Sequence, residues 1–143
     1  MSAFIFNHRA DVEAVHQAEL PTGIESEQAL LDALSVALRF PDYFGKNWNA
    51  LDECICDLSW LPPGDVVLIH KDLPLADNRA SLSIYLSILR DAVGKWSTKG
   101  SNLIYASPEK WDATGERGLL VKRKFFVMFP PEVESAVTTL GFD

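Results

Sequence analysis

Residues 39–60 read "RFPDYFGKNWNALDECICDLSW" and contain the helix and entry loop that decide the fold. Asn47 belongs to a residue type that caps helices, so we predict a helix from Asn47 to about Leu58. Four apolar residues recur at helical spacing and are predicted to enter the core: Trp48, Leu51, Ile55 and Leu58.

The opposite face of this helix is acidic. It carries Asp52, Glu53 and Asp57 together with Asn49 and Cys56, and no basic residue. Like charges along one helix face cost a few tenths of a kcal/mol per pair, so a helix selected only for stability would include lysines. The pattern therefore favours a surface that receives a basic partner.

Two aromatic residues, Tyr43 and Phe44, precede Gly45, which allows a tight turn or a positive φ. Aromatic rings beside carboxylates are typical of protein interfaces, because the rings supply desolvated area and the carboxylates accept Arg and Lys. The alternative is that both rings hold the loop on the core and the acids are simply solvated. These residues alone leave both interpretations open.

The rest of the chain predicts alternating strands and helices. Strands are predicted at 2–6, 14–20, 66–70 and 101–107, a mixed strand-like stretch at 118–129, and helices at 26–40, 78–96 and after Pro130. Ser26 is the predicted N-cap of the first helix, and Pro41 is expected to stop it. The run "VVLIH" at 66–70 is typical of a strand buried on both faces. We predict an α/β fold with a small, mainly parallel sheet flanked by helices.

We expect a single domain, 1–143, with a core at about 14–107. Residues 1–13 and 108–143 are interpreted as added elements on the margins of the sheet. Within the second segment, Lys122, Arg123 and Lys124 suggest a solvated edge or, as an alternative, a second contact surface.

Charge is distributed unevenly along the chain. Residues 1–58 contain ten acidic and three basic residues, whereas the remainder balances, so the first 58 residues carry the whole net charge of −7. This asymmetry disfavours nucleic-acid binding and suits a basic protein partner. No apolar run approaches the ~20 residues that a bilayer requires, and no signal peptide is visible. We therefore expect a cytoplasmic protein without membrane association.

An enzymatic function is the weakest hypothesis. Cys54 and Cys56 point about 200° apart on a helix and cannot bridge each other. With three scattered histidines they also lack metal-ligand spacing, so no metal and no cofactor is expected. A thiol hydrolase using either cysteine with His70 is disfavoured, because neither thiol is predicted at a helix N-terminus, where its thiolate would be stabilised.

The segment resembles the barstar family, whose members carry the pattern Pro-x-Tyr-Tyr/Phe-Gly-x-Asn-x-Asp-Ala-Leu-x-Asp-Cys-Leu. Nine positions match, eight of them identically and Ile55 as a similar residue in place of leucine: Pro41, Tyr43, Phe44, Gly45, Asn47, Ala50, Leu51, Cys54 and Ile55. The order of predicted elements between 14 and 107 is also similar to that of the family. The resemblance implies a barstar-like fold and an inhibitor that places an acidic loop and helix in the active site of a guanyl-preferring ribonuclease.

The partner would be a basic, secreted or toxin-type ribonuclease, and the protein an inhibitor or immunity protein rather than an enzyme. The residues implied or suggested as partner-binding are Tyr43, Phe44, Gly45, Asn47, Asn49, Asp52, Glu53, Asp57 and Asp91. Asn49 departs from the family, which has a carboxylate there, and Glu53 is a longer acid than the family's aspartate. A barstar-like module that neutralises a different toxin or regulates a host protein is therefore the alternative.

Overall fold

The computed structural model describes residues 3–7, 14, 16–61, 64–98, 103–105 and 120–142. Its centre is a four-stranded parallel sheet with the strand order β1-β6-β3-β2. The described residues form six strands: β1 Phe4–Phe6, β2 His16–Glu19, β3 Val66–Ile69, β4 Leu103–Tyr105, β5 Leu120–Lys122 and β6 Phe125–Phe129. In the same part of the chain there are four α-helices: α1 Glu27–Ala37, α2 Trp48–Ile55, α3 Arg79–Thr98 and α4 Glu134–Thr139. These elements confirm the predicted α/β class.

The two inner strands, β3 and β6, carry the apolar centre of the sheet. Val66, Val67 and Leu68 are fully buried, which confirms a strand covered on both faces. In β6, Val127 and Phe129 are fully buried as well. The core is therefore built where these strands pair, with Leu68 opposite Val127.

The helix boundaries follow local signals. Ser26 caps α1, because its side-chain oxygen accepts a hydrogen bond from the Ala29 backbone N–H at 3.1 Å. This helix ends at Ala37, before Pro41, and Arg39 then adopts a left-handed φ of 55°. The chain thus leaves the helix through a turn rather than running on to the proline.

The C-terminal segment corrects the predicted layout. Residues 108–143 were expected at the margins of the sheet, yet β6 lies between β1 and β3. The strand-like stretch 118–129 is divided by Arg123 and Lys124, and its first part, β5, pairs antiparallel with β4 in a separate two-stranded sheet. The apolar residues of "FFVMF" explain the difference, since such a run is best placed inside a sheet.

A buried polar pair lies where β3 ends. The His70 Nδ1–H donates to the Met128 carbonyl oxygen at 2.9 Å, and the Tyr85 hydroxyl lies 2.7 Å from Nε2. Because a carbonyl can only accept, Nδ1 carries the proton, and the neutral ring accepts from Tyr85 at Nε2. His70 also stacks on Phe129, with ring centroids 4.0 Å apart. The pair therefore joins α3 to the sheet.

Candidate protein-binding surface

The start of α2 is held by its own cap. Asn47 Oδ1 accepts a hydrogen bond from the Ala50 backbone N–H at 2.7 Å, while Nδ2 donates to the Gly45 carbonyl oxygen at 3.4 Å. Asn47 thus shapes the loop and begins the helix, as its residue type predicts. The left-handed residue of this loop is Lys46, with a φ of 52°. Gly45 does not have a positive φ, so of the two options that the sequence left for it only the tight turn remains.

The two loop aromatics have different environments. Phe44 is 8% exposed and packs on Phe40 with ring centroids 4.7 Å apart, so its side chain belongs to the core. Tyr43 is 70% exposed. Each of the two interpretations left open by the sequence therefore describes one ring: Phe44 holds the loop in place, and Tyr43 presents its ring to solvent.

The core face of α2 is confirmed. Leu51, Ile55 and Leu58 are fully buried, and Trp48 is half-buried, with its ring 6.3 Å from that of Tyr85. The face assignment did not include Cys54, which is also buried.

The acidic face is less uniform than predicted. Glu53 and Asp57 are exposed, whereas Asp52 is half-buried, and its Oδ1 lies 3.9 Å from Lys95 Nζ. This lysine comes from α3, so a pattern read along α2 alone could not reveal it. The helix itself carries no base, as its sequence shows, but α3 supplies a cation beside Asp52. Among the described residues, neither Glu53 nor Asp57 has an ion pair within 4 Å.

Helices α2 and α3 run side by side in the same direction. Trp48 approaches Tyr85 near their starts, and the Trp96 Nε1–H donates to the Ile55 carbonyl oxygen at 3.0 Å near their ends. Asp91 lies four residues before Lys95 and therefore on the same side of α3, one turn towards the helix start. Its side chain is 57% exposed, with Arg90 Nε 3.9 Å from Oδ1. Asp91 thus extends the acidic surface along the edge of α3 that faces α2.

Tyr43 and Asp57 lie close enough to interact electrostatically. The pKa of the Tyr43 hydroxyl is raised, first by its partial desolvation and then by the negative charge of Asp57. The loop before α2 and the turn after it therefore converge on one surface. We define the acidic surface as Tyr43, Asn49, Asp52, Glu53, Asp57 and Asp91.

The cysteines and His70 do not form a nucleophile–base pair. Both nitrogens of His70 are engaged by Met128 and Tyr85, and burial lowers the His70 pKa to about 4. Burial raises the pKa of Cys54, and the charges of Asp57 and Glu53 raise it further. A thiolate at Cys54 is therefore disfavoured, and His70 has no ring nitrogen left to act as its base, so these two residues do not support a thiol hydrolase.

The described residues were also compared with the requirements of a metal site and of a membrane-spanning helix. Their His, Cys, Asp and Glu side chains form no group of three or more that could hold a metal ion. None of the helices in this part of the chain is both long enough and apolar enough to span a bilayer.

A protein-family comparison then identifies the scaffold. The model of the family described as barstar (barnase inhibitor) matches residues 15–107, which is more than half of the chain. The chain belongs to the barstar family. Comparison with curated proteins and with solved structures gave no significant match.

The matched barstar region contains β2, α1, α2, β3, α3 and β4, and so includes every residue of the acidic surface. It does not include β1, β6 or α4, although the first two are strands of the same sheet. In this barstar-family chain, residues outside the matched region therefore complete the sheet.

Sequence reasoning missed two cations near the acidic surface. Lys95 lies on α3, and the buried Arg123 comes from the C-terminal segment. The i, i+4 spacing of Asp91 and Lys95 is visible in the sequence, but nothing there indicates that α3 packs beside α2. Arg123 was placed on a solvated edge or a second contact surface, and its complete burial shows that both interpretations were wrong.

Proposed function

We propose that this protein inhibits a small basic ribonuclease by covering its active site with the acidic surface. The observation that carries the proposal is the exposure of Tyr43, Glu53 and Asp57 on α2, on the loop before it and on the turn after it, all within the matched barstar region. A ribonuclease active site binds phosphate through Arg and Lys, so carboxylates at matching positions can take the place of the substrate's charge.

The residues of the acidic surface have different roles in the proposed binding. Glu53 and Asp57 are available to receive guanidinium or ammonium groups, while Tyr43 supplies apolar contact area with a polar end. Asp52 contributes less, because Lys95 already offsets part of its charge. Phe44 and Asn47 hold the loop in shape through a ring contact and hydrogen bonds, one of which the exposed Gly45 accepts at its carbonyl oxygen.

Cytoplasmic action of an immunity-type inhibitor is part of the same proposal. Both cysteines are free thiols, as a reducing compartment requires. The partner would be a secreted or toxin-type guanyl-preferring ribonuclease, against which the producing cell needs protection.

The test is inhibition of RNA cleavage by a barnase-type ribonuclease, measured with a fluorogenic RNA substrate at increasing salt. We expect stoichiometric inhibition at low salt that weakens as salt screens the charges. Glu53→Gln should weaken inhibition by at least about tenfold, the effect expected when a charged hydrogen-bond partner is removed. The matched control is Glu134→Gln, the same change at an exposed position on α4. Equal inhibition by wild type and Glu53→Gln, or no salt dependence, would contradict the proposal.

One observation favours a second candidate, a barstar-like module directed at another basic protein. Asn49 replaces the family's first helix carboxylate, and Lys95 offsets Asp52, so the negative charge is shifted towards Glu53 and Asp57. A partner would need its cations arranged accordingly. Affinity purification from the native organism, followed by identification of the bound protein and of its gene neighbour, separates the candidates. Recovery of a guanyl-preferring ribonuclease would exclude the second.

A further inference from the structure

Arg123 is a completely buried arginine in the turn between β5 and β6. Its guanidinium group donates three hydrogen bonds to backbone carbonyl oxygens: Nη1 to Leu58 at 2.6 Å, Nε to Gly64 at 2.8 Å and Nη2 to Leu61 at 3.3 Å. The neighbouring Lys124, with the same charge, is exposed. The two residues therefore have different roles despite being adjacent.

The carbonyls that Arg123 binds lie in the segment that follows α2, a helix that ends at Ile55. The last carbonyls of a helix have no partner within the helix and need one from elsewhere. Leu58 has a left-handed φ of 51°, which turns the chain away from the helix axis at this point. The Trp96 side chain binds the Ile55 carbonyl oxygen, and the Arg123 guanidinium lies 5.8 Å from the centre of the Trp96 ring. Trp96 therefore satisfies a carbonyl in the last turn of α2, and Arg123 holds the segment directly after it.

The charges near the end of α2 destabilise the helix. The helix has no basic residue in its last turn, and Asp52, Glu53 and Asp57 lie in its second half or just beyond it. Carboxylates near the negative end of a helix dipole are unfavourable, and a cation there is favourable. Burial lowers the Arg123 pKa to about 10, against the opposing effect of Asp65 and Asp57, so the guanidinium stays charged at neutral pH. Arg123 thus offsets part of the negative charge of the acidic surface while its own side chain stays buried.

We infer that Arg123 is a positioning residue of the acidic surface: it holds the segment that follows α2, and through it Asp57 and the end of the helix that carries Glu53, in place. Arg123 lies outside the matched barstar region, so the C-terminal segment is an integral part of this protein's binding surface. The positional role stands on the three hydrogen bonds. Its consequence for affinity rests on the proposed function.

The test compares Arg123→Met, Arg123→Lys and Lys124→Met in the full-length protein. Arg123→Met and Lys124→Met change the net charge equally, so a difference between them reports the buried contacts. Amide hydrogen exchange, followed by NMR, measures the opening of the turn through the N–H groups of Cys56, Asp57, Leu58 and Leu61, which all bond within it. We expect Arg123→Met to accelerate their exchange at least about tenfold relative to amides of β3 and β6. Lys124→Met should leave the ratio at its wild-type value.

Arg123→Lys keeps the inference testable if Arg123→Met does not fold. A single ammonium group cannot reach three carbonyls in the geometry of the guanidinium fork, so we expect an intermediate acceleration at the same amides. Unchanged exchange at the end of α2 in the folded variants would overturn the inference. Acceleration by one common factor throughout the protein would do so too, because it indicates a general loss of stability.

Binding supplies a separate measurement. With a barnase-type ribonuclease, Arg123→Met should raise the dissociation rate about tenfold, whereas Lys124→Met should not. If wild type binds and Arg123→Met dissociates at the wild-type rate, Arg123 does not position the acidic surface. If wild type does not bind, the proposed function fails, and the exchange measurement alone decides whether Arg123 holds the turn.

Discussion

Replacing His70 by glutamine should remove much of the protein's sensitivity to mild acid. In the native protein the neutral His70 ring accepts a hydrogen bond from Tyr85 and donates one to the Met128 carbonyl oxygen. A proton added to Nε2 would eliminate the acceptor that Tyr85 uses and would place a charge in a fully buried position. Glutamine can both donate and accept, but it does not titrate.

The size of the effect follows from the His70 pKa, which burial lowers from 6.5 to about 4. Because the unfolded chain binds the proton first, stability is fully present above pH 6.5 and is lost as the pH falls towards 4. At roughly 1.4 kcal/mol per pKa unit, the whole loss is about 3 kcal/mol. Between pH 7 and pH 5 it is about 2 kcal/mol.

Urea unfolding at pH 7 and pH 5, followed by tryptophan fluorescence, measures this loss in wild type and in His70→Gln. The other titrating groups are present in both proteins, so their contributions cancel in the comparison. The wild-type free energy of unfolding should fall by about 2 kcal/mol more than that of the variant. Equal decreases in the two proteins, or an NMR titration of His70 centred near 6.5, would refute the reasoning.

Three further predictions concern the acidic surface and its surroundings. Phe44→Ala should lower the free energy of unfolding by about 3 kcal/mol, because a buried ring is lost. Tyr43→Ala should change the free energy of unfolding by less than about 0.5 kcal/mol but should weaken inhibition. Equal stability of the two variants in thermal and urea unfolding would contradict this prediction. Lys95→Met should raise the association rate with a basic ribonuclease a few-fold at low salt. The control is Lys71→Met, which removes the same charge beside Glu19 and should not have this effect. Equal stopped-flow association rates for the two variants would contradict the view that Lys95 offsets the charge of Asp52. Cys56, which is half-buried, should react with iodoacetamide faster than the buried Cys54, whose pKa burial raises; peptide mass spectrometry showing Cys54 modified first would contradict that order.

Much of the acidic helix was predictable because its signals are local. Asn47 is a cap by residue type, and the spacing of Leu51, Ile55 and Leu58 follows from the helical period. The same period could not distinguish Tyr43 from Phe44, since loop residues have no fixed direction. Which ring becomes buried depends on Phe40, and hence on how the loop folds back over the end of α1.

The features that sequence reasoning missed depend on contacts between distant segments. Lys95 reaches Asp52 only because α2 and α3 lie side by side, and Arg123 is 65 positions from the Leu58 carbonyl that it binds. The interior position of β6 in the sheet likewise depends on contacts between distant segments. Its apolar residues indicated a strand, but the order of strands in a parallel sheet is decided by crossovers that no local pattern encodes.

Mapping the interface by NMR tests most directly whether the acidic surface is the binding site. A catalytically inactive barnase-type ribonuclease is titrated into the 15N-labelled protein, and amide shift changes are assigned along the chain. The largest changes should fall on 43–57 and around Asp91, and Glu53→Gln should reduce them at equal concentrations. Changes concentrated on α4 or around Lys124, or no changes at all, would contradict the account.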